Sequence, residues 1–136
     1  MTSDSFSSSL RAYRERGFFK EIKILRGIER ESLRVDKNGK ISQKNHPKNL
    51  GSPLTNKDIT TDFAEALVEL VTPTFESPEE LFDHLNLLHR FLYSELVDEM
   101  LWNFSMPCAF TNEKEIRIAE YGNSNSGMLK HVYRKG

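Results

Sequence analysis

Two short segments place carboxylates among apolar residues. In Gly27-Ile28-Glu29-Arg30-Glu31-Ser32-Leu33-Arg34-Val35, strand alternation puts Glu29 and Glu31 on one face with Leu33 and Val35, and Arg30 and Arg34 on the other. Acids so placed repel each other and lose hydration. A hard divalent cation relieves both problems, because Mg²⁺ prefers carboxylate oxygens and water. A solvated face with exposed acids is the plainer alternative. The second segment is Thr60-Thr-Asp-Phe-Ala-Glu-Ala-Leu-Val-Glu-Leu-Val-Thr72, with Asp62, Glu65 and Glu69. Its plain alternative is a surface helix with an acidic face. Having both clusters in one small chain suits ATP chemistry, where metal ions neutralise the triphosphate and the transferring phosphoryl group.

The conformation of residues 60–72 is ambiguous in the sequence. Ala, Glu and Leu favour a helix, with Asp62 and Glu65 as a capping pair. The β-branched residues at both ends favour a strand, and Pro73 terminates either. As a strand, Ala64, Ala66, Val68 and Leu70 form one face, and Phe63, Glu65, Leu67, Glu69 and Val71 the other. Glu65 and Glu69 point together in both geometries, being two strand repeats or one helical turn apart.

The surrounding elements are clearer. Asn38-Gly39 supplies the positive φ angles of a tight turn and predicts a β-hairpin after Val35. Residues 43–58, with His46-Pro47, Gly51 and Pro53, read as a loop. Ser77-Pro78-Glu79-Glu80 starts a helix, with Ser77 as cap and Glu80 reaching back to it. Leu81, Leu85, Leu88, Leu92 and Leu96, widened by Phe82 and Phe91, then make an amphipathic stripe to about Asp98. A short helix is expected to end near Gly17, a loop at 102–107, a short strand at 116–118 and a flexible loop at 122–127. A last helix is expected from about Asn125 through Tyr133.

Composition excludes several classes. The chain has 136 residues, 38% hydrophobic and 29% charged, which fits one globular domain or part of one. Its formal charge of −1 provides no field for nucleic acid or an anionic membrane. No apolar run reaches the length of a membrane span, and the serine-rich stretch Met1–Leu10 has no signal-peptide core. The single cysteine, Cys108, precludes an internal disulfide and is read as a small semi-buried residue, so a cytoplasmic location is expected. His46, His84, His89 and His131 show no metal-ligand spacing, and neither a P-loop nor a dinucleotide-binding glycine motif is present.

A set of motifs in register nevertheless resembles a known family. Arg26 to Val35, Thr60 to Pro73, Trp102 with Ser105-Met106-Pro107, Ala119 to Asn125, and Gly127 through Lys130 to Tyr133-Arg134 look like the N-terminal part of bacterial glutamate–cysteine ligase (γ-glutamylcysteine synthetase). The resemblance runs from about residue 24 onward. It implies ATP-dependent joining of the γ-carboxyl of L-glutamate to the amino group of L-cysteine, through a γ-glutamyl phosphate, as the first step of glutathione synthesis. It also implies Mg²⁺ or Mn²⁺. The implied fold is α+β, part of an antiparallel funnel-like sheet backed by helices and similar to the catalytic domain of glutamine synthetase. On that basis residues 60–72 become a strand, with Glu65 and Glu69 looking into the funnel.

Carried over residue by residue, the resemblance makes Glu29, Asp62 and Glu69 metal-binding positions and Glu31 a further metal or nucleotide-side acid. Phe63 and Tyr133 match positions lining the cysteine pocket. Arg134 matches the residue expected to pair with a substrate carboxylate, which a planar guanidinium suits. The chain departs from the family pattern at its end, where Lys135 replaces the usual acid and Gly136 is the last residue. Residues 1–136 are therefore expected to be an incomplete part of one catalytic domain, with the remainder of the ligase chain as partner. The competing readings are a non-catalytic, truncated relative that binds nucleotide or metal, and a plain α+β domain with surface acids. The isolated chain is predicted to show no ligase turnover. An assay of ATP- and cysteine-dependent phosphate release by the purified 136 residues checks this, and turnover would contradict it.

Overall fold

The structure, a computed structural model, describes residues 3–20 and 22–136. Met1 and Thr2 of the serine-rich start, and Glu21 of the mixed stretch 8–25, lie outside the described residues. Helix α1 (Ser3–Glu15) is followed by strands β1 (Glu29–Asp36), β2 (Ile59–Thr61) and β3 (Leu67–Val71). Helix α2 (Pro78–Glu95), strand β4 (Glu99–Trp102) and helix α3 (Asn125–Lys135) complete the fold. The strands form one antiparallel sheet in the order β2-β3-β1-β4. Among the described residues the architecture is thus α+β, with three α-helices and a four-stranded sheet. No helix of the described residues is long and apolar enough to cross a membrane.

Strand register sorts the side chains between two faces. Arg30, Ser32 and Arg34 lie opposite Leu70, Val68 and Leu101 respectively, and this face packs on α2. Leu81, Leu85, Leu88 and Leu92 of α2 are buried, and the last three join Leu50, Ile59, Val68, Leu70 and Leu101 in the main core. Glu29, Glu31 and Leu33 lie opposite Val71, Glu69 and Leu67 on the other face. One end of that face is covered by a smaller cluster of Val35, Ile41, Ala66 and Cys108, with Leu33, Trp102 and Ile116 against it. Its acidic end is open.

A charge sits inside the α2 side. The Arg34 side chain is fully buried and pairs at 2.9 Å with Glu99, whose side chain is also nearly inaccessible. Its two Nη groups also reach the carbonyls of Lys44 (3.0 Å), Asn45 (3.2 Å) and Glu65 (2.8 Å), its Nε has no partner among the described residues, and Ser42 donates to Glu99. One guanidinium therefore joins β1, β4, the 42–46 loop and the β2–β3 connection.

Several expectations are corrected. Residues 60–72 are not one strand: β2 and β3 form a hairpin through a turn at 62–66, because Asp62 N donates to Leu67 O and Leu67 N to Ala64 O. At Asn38-Gly39 only Gly39 has a positive φ (76°). The turn is held by the Asp36 side chain, which accepts from the amides of Asn38 and Lys40, and the return chain pairs only at a bridge between Val35 and Ile41. The loop expected from Trp102 is preceded by β4, which pairs with β1 and includes Trp102 itself. Ile116–Ile118 contributes only an isolated bridge, Ala64 to Ile118. Helix α2 stops at Glu95, before Asp98 with its positive φ of 57°, and Phe82 and Phe91 are exposed rather than part of the core stripe. The Ser77 cap is present, accepting from Glu80 N at 3.2 Å, but its hydroxyl donates to Glu79, not Glu80. The stretch 122–127 is helical from Asn125, capped by Ser124.

Replacing Arg34 by Met leaves Glu99 buried without its partner. Urea denaturation is expected to show a loss of about 3–5 kcal/mol, with much of it regained in Arg34→Met/Glu99→Leu.

Candidate functional site

The open end of the sheet gathers the acids. Register places Glu31 directly opposite Glu69, with Thr60 on the far side of Glu69 and Glu29 two residues along β1. Like charges facing each other across strands oppose pairing. The Glu69 carboxyl is accordingly raised above its ordinary range, first by partial burial and then by Asp62, Glu31 and Glu29. Lys130 of α3 acts the other way. The set consists of hard oxygen donors, without His or Cys. Among the described residues, no three His, Cys, Asp or Glu side chains converge as a ready-made ion site.

Asp62 stands at the start of the β2–β3 turn and faces α3. Its carboxylate accepts a hydrogen bond from Arg134 Nη2 at 2.5 Å, with both side chains partly exposed. That bond holds the Asp62 carboxyl below its usual range and raises the Arg134 guanidinium further. The turn is also joined to the strap at 117–121 that leads into the helix, through Tyr121, whose hydroxyl is shared between the carbonyls of Thr61 (3.0 Å) and Asp62 (2.7 Å). Helix α3 begins hard against this strap. A Cβ at Gly127 would lie 2.4 Å from the Tyr121 carbonyl oxygen, so only glycine fits there.

Of the residues singled out from sequence, Glu29, Glu31 and Glu69 thus share one face, and Asp62 and Arg134 meet beside it. Phe63 and Tyr133 do not form a pocket with them: Phe63 is 47% exposed and Tyr133 85%. A cleft of about 340 Å³ beside α3 is lined by Glu120, Tyr121, Met128 and His131, among others, and does not include Glu29, Glu31 or Glu69. Glu65 is corrected outright. It does not join Glu69 on the open face but is buried in the turn, its carboxylate accepting from the amides of His46 (2.8 Å) and Glu120 (2.7 Å). The alternation argument failed here because the chain reverses between Asp62 and Leu67.

Lys130 and Tyr121 are the contributors that residue patterning did not single out. Lys130 Nζ lies 4.1 Å from the centroid of the Tyr121 ring and, one helical turn before Arg134, adds positive charge beside the acids. Its four-residue spacing from Arg134 was the available signal. Cys108 is buried in the small cluster, and burial pushes its thiol pKa up, as befits an inert packing residue.

An antiparallel sheet with one face on a helix and an open acidic end, flanked by an arginine-bearing helix, defines an α+β scaffold. Comparison with known proteins specifies it further. The profile of the glutamate-cysteine ligase family matches residues 9–136, and the chain belongs to that family. It is 55% identical over 112 residues to the glutamate–cysteine ligase of Pseudomonas putida strain W619, and equally so to that of Bordetella petrii. Each alignment covers 82% of this chain and 21% of the relative, so the chain spans about a fifth of their length. The crystal structure of glutamate–cysteine ligase from Francisella tularensis in complex with AMP superposes with a TM-score of 0.78 at 46% identity, covering 82% of this chain and 22% of that one. A bifunctional glutathione synthetase from Pasteurella multocida is similar at a TM-score of 0.66 and 36% identity, over 69% of this chain and 13% of that one.

His46 offers a pH test of this packing. Its ring is buried with neither nitrogen hydrogen-bonded among the described residues, and burial first, then Arg34, lowers its pKa from 6.5 to about 4. The folded state therefore excludes a proton that the unfolded chain takes up near 6.5. Stability is full above pH 6.5 and falls as the pH drops toward 4. Thermal melts should show Tm declining between pH 6.5 and 5, and His46→Phe should flatten that slope.

Proposed function

We propose that this chain supplies part of the active site of a glutamate–cysteine ligase, which joins the γ-carboxyl of L-glutamate to the amine of L-cysteine at the expense of ATP through a γ-glutamyl phosphate. The observation that carries this is the face-to-face register of Glu31 and Glu69, with Glu29 on the same face and Asp62 alongside, in a chain of the ligase family. Residues 1–136 form part of one catalytic domain, and the sheet is a section of a larger funnel-like sheet of the glutamine synthetase kind. The remainder of such a ligase chain would supply the other substrate and nucleotide contacts.

Glu29, Asp62 and Glu69 hold Mg²⁺ or Mn²⁺ in this reading, and Glu31 serves a further metal or the nucleotide side. The raised Glu69 carboxyl and the all-oxygen donor set support it, because a hard dication removes the repulsion that the register creates. When bound, such an ion supplies charge neutralisation for the triphosphate and the transferring phosphoryl group. Arg134 binds the amino-acid carboxylate in two-pronged fashion, and this assigns it the catalytic placement of substrate. Asp62 holds that guanidinium in the structure described above. Asp62 would be one of the residues to hold the cation, and its bond to Arg134 keeps the guanidinium at the edge of the same acidic face. Phe63 and Tyr133, both exposed here, line the cysteine pocket in the complete enzyme.

The test is a chimera in which this chain replaces the matching segment of the Pseudomonas putida ligase. The chimera is expected to form γ-glutamylcysteine. Asp62→Asn and Glu69→Gln should each lower kcat/KM by about 100-fold or more and weaken Mn²⁺ binding measured by electron paramagnetic resonance. An active chimera indifferent to both substitutions would rule out the assignment of these acids.

A further inference from the structure

We propose that Glu65 is a positioning residue for this site, fixing helix α3, and with it Arg134, relative to Asp62. Glu65 is 3% exposed, and its carboxylate neither faces the open acidic end nor pairs with a cation among the described residues; both oxygens accept from backbone amides. One comes from His46 in the loop before β2, the other from Glu120 in the strap leading to α3. The backbone of Glu65 is fastened as well. Its N–H donates to Arg117 O at 2.8 Å, and its carbonyl accepts from the buried Arg34 at 2.8 Å.

Segment 117–121 is tied to the β2–β3 hairpin through two further donors. Ala119 N donates to Phe63 O at 3.0 Å, and the Tyr121 hydroxyl is shared between the carbonyls of Thr61 and Asp62. The strap in turn seats α3. His131 Nδ1 lies 3.0 Å from Ala119 O, and Gly127 packs against the Tyr121 carbonyl. The Asp62–Arg134 bond closes the circuit. A carboxylate in this position accepts two amides that a neutral, apolar side chain would leave buried and unpaired. The placement of Arg134 beside Asp62 therefore depends on a residue that touches neither. The role rests on the ligase reading only for the identity of the site that it serves.

Amide hydrogen exchange on the 136-residue chain tests the clamp directly. In Glu65→Gln one amide loses its acceptor. Amides of 119–121 and of α3 from Met128 onward should then exchange about tenfold or more faster, while α2 amides keep their protection. Tyr121→Phe, which removes the hydroxyl but keeps the ring, should give the same pattern more weakly, and it carries the test if Glu65→Gln does not fold. Equal acceleration in α2, or none in α3, overturns the clamp. In the ligase chimera the same variants should raise KM for the amino-acid substrate several-fold, with a smaller change in kcat. An unmoved KM overturns the positioning role. An inactive unmutated chimera counts against the ligase reading alone, because the exchange pattern still decides the clamp.

Discussion

A guanidinium that cannot reach water dictates what must surround it. Arg34 lies in the second half of β1, and its side chain points into the same layer as Val68, Leu70 and the leucines of α2. A bare charge there would be prohibitively costly, so the fold brings it Glu99 from β4 and three carbonyls from separate segments. Those partners determine which parts of the chain meet. The pair links β1 to β4, the bonds to Lys44 and Asn45 draw in the loop after β1, and the bond to Glu65 anchors the β2–β3 turn.

The opposite face follows from the same strand by alternation. With Arg30, Ser32 and Arg34 committed to the helical side, Glu29 and Glu31 have to appear on the other. The antiparallel register then sets Glu69 against Glu31, an arrangement that works against the sheet's own stability. These unfavourable electrostatics are retained at one open end of an otherwise consistent fold, where the acids oppose rather than support strand pairing. Lys130 and Arg134 on α3 offset part of that charge in the structure as it stands. Membership of the glutamate–cysteine ligase family gives the acidic face a chemical context, although the chain spans only about a fifth of its relatives' length.

The acids are held apart by different means. Glu29, Glu31 and Glu69 ride on paired strands, whereas Asp62 sits on a turn and Arg134 on a helix joined to the sheet through the strap at 117–121 and the Asp62 bond. Glu65 illustrates how a carboxylate two strand repeats from Glu69 acquires a different job. Because the chain reverses at 62–66, it faces backbone amides instead of its neighbour in the acidic pattern.

Local chemistry was legible in the residues themselves. The alternation in 29–35, the Ser77-Pro78 helix start and the Leu81–Leu92 stripe each act over a turn or a strand repeat, so spacing alone determined them, and the motif series identified the family. Long-range partners were not legible. The reversal that splits 60–72 depends on Asp62 N meeting Leu67 O and on segment 117–121 laid against the turn, while β4 exists because β1 offers it an edge. Whether Glu65 joined the acids, whether Phe82 and Phe91 entered the core, and whether Arg134 met Asp62 were decided by tertiary structure alone. Each depends on a hydrogen bond or a buried contact between residues far apart in the chain, which no short-range pattern encodes.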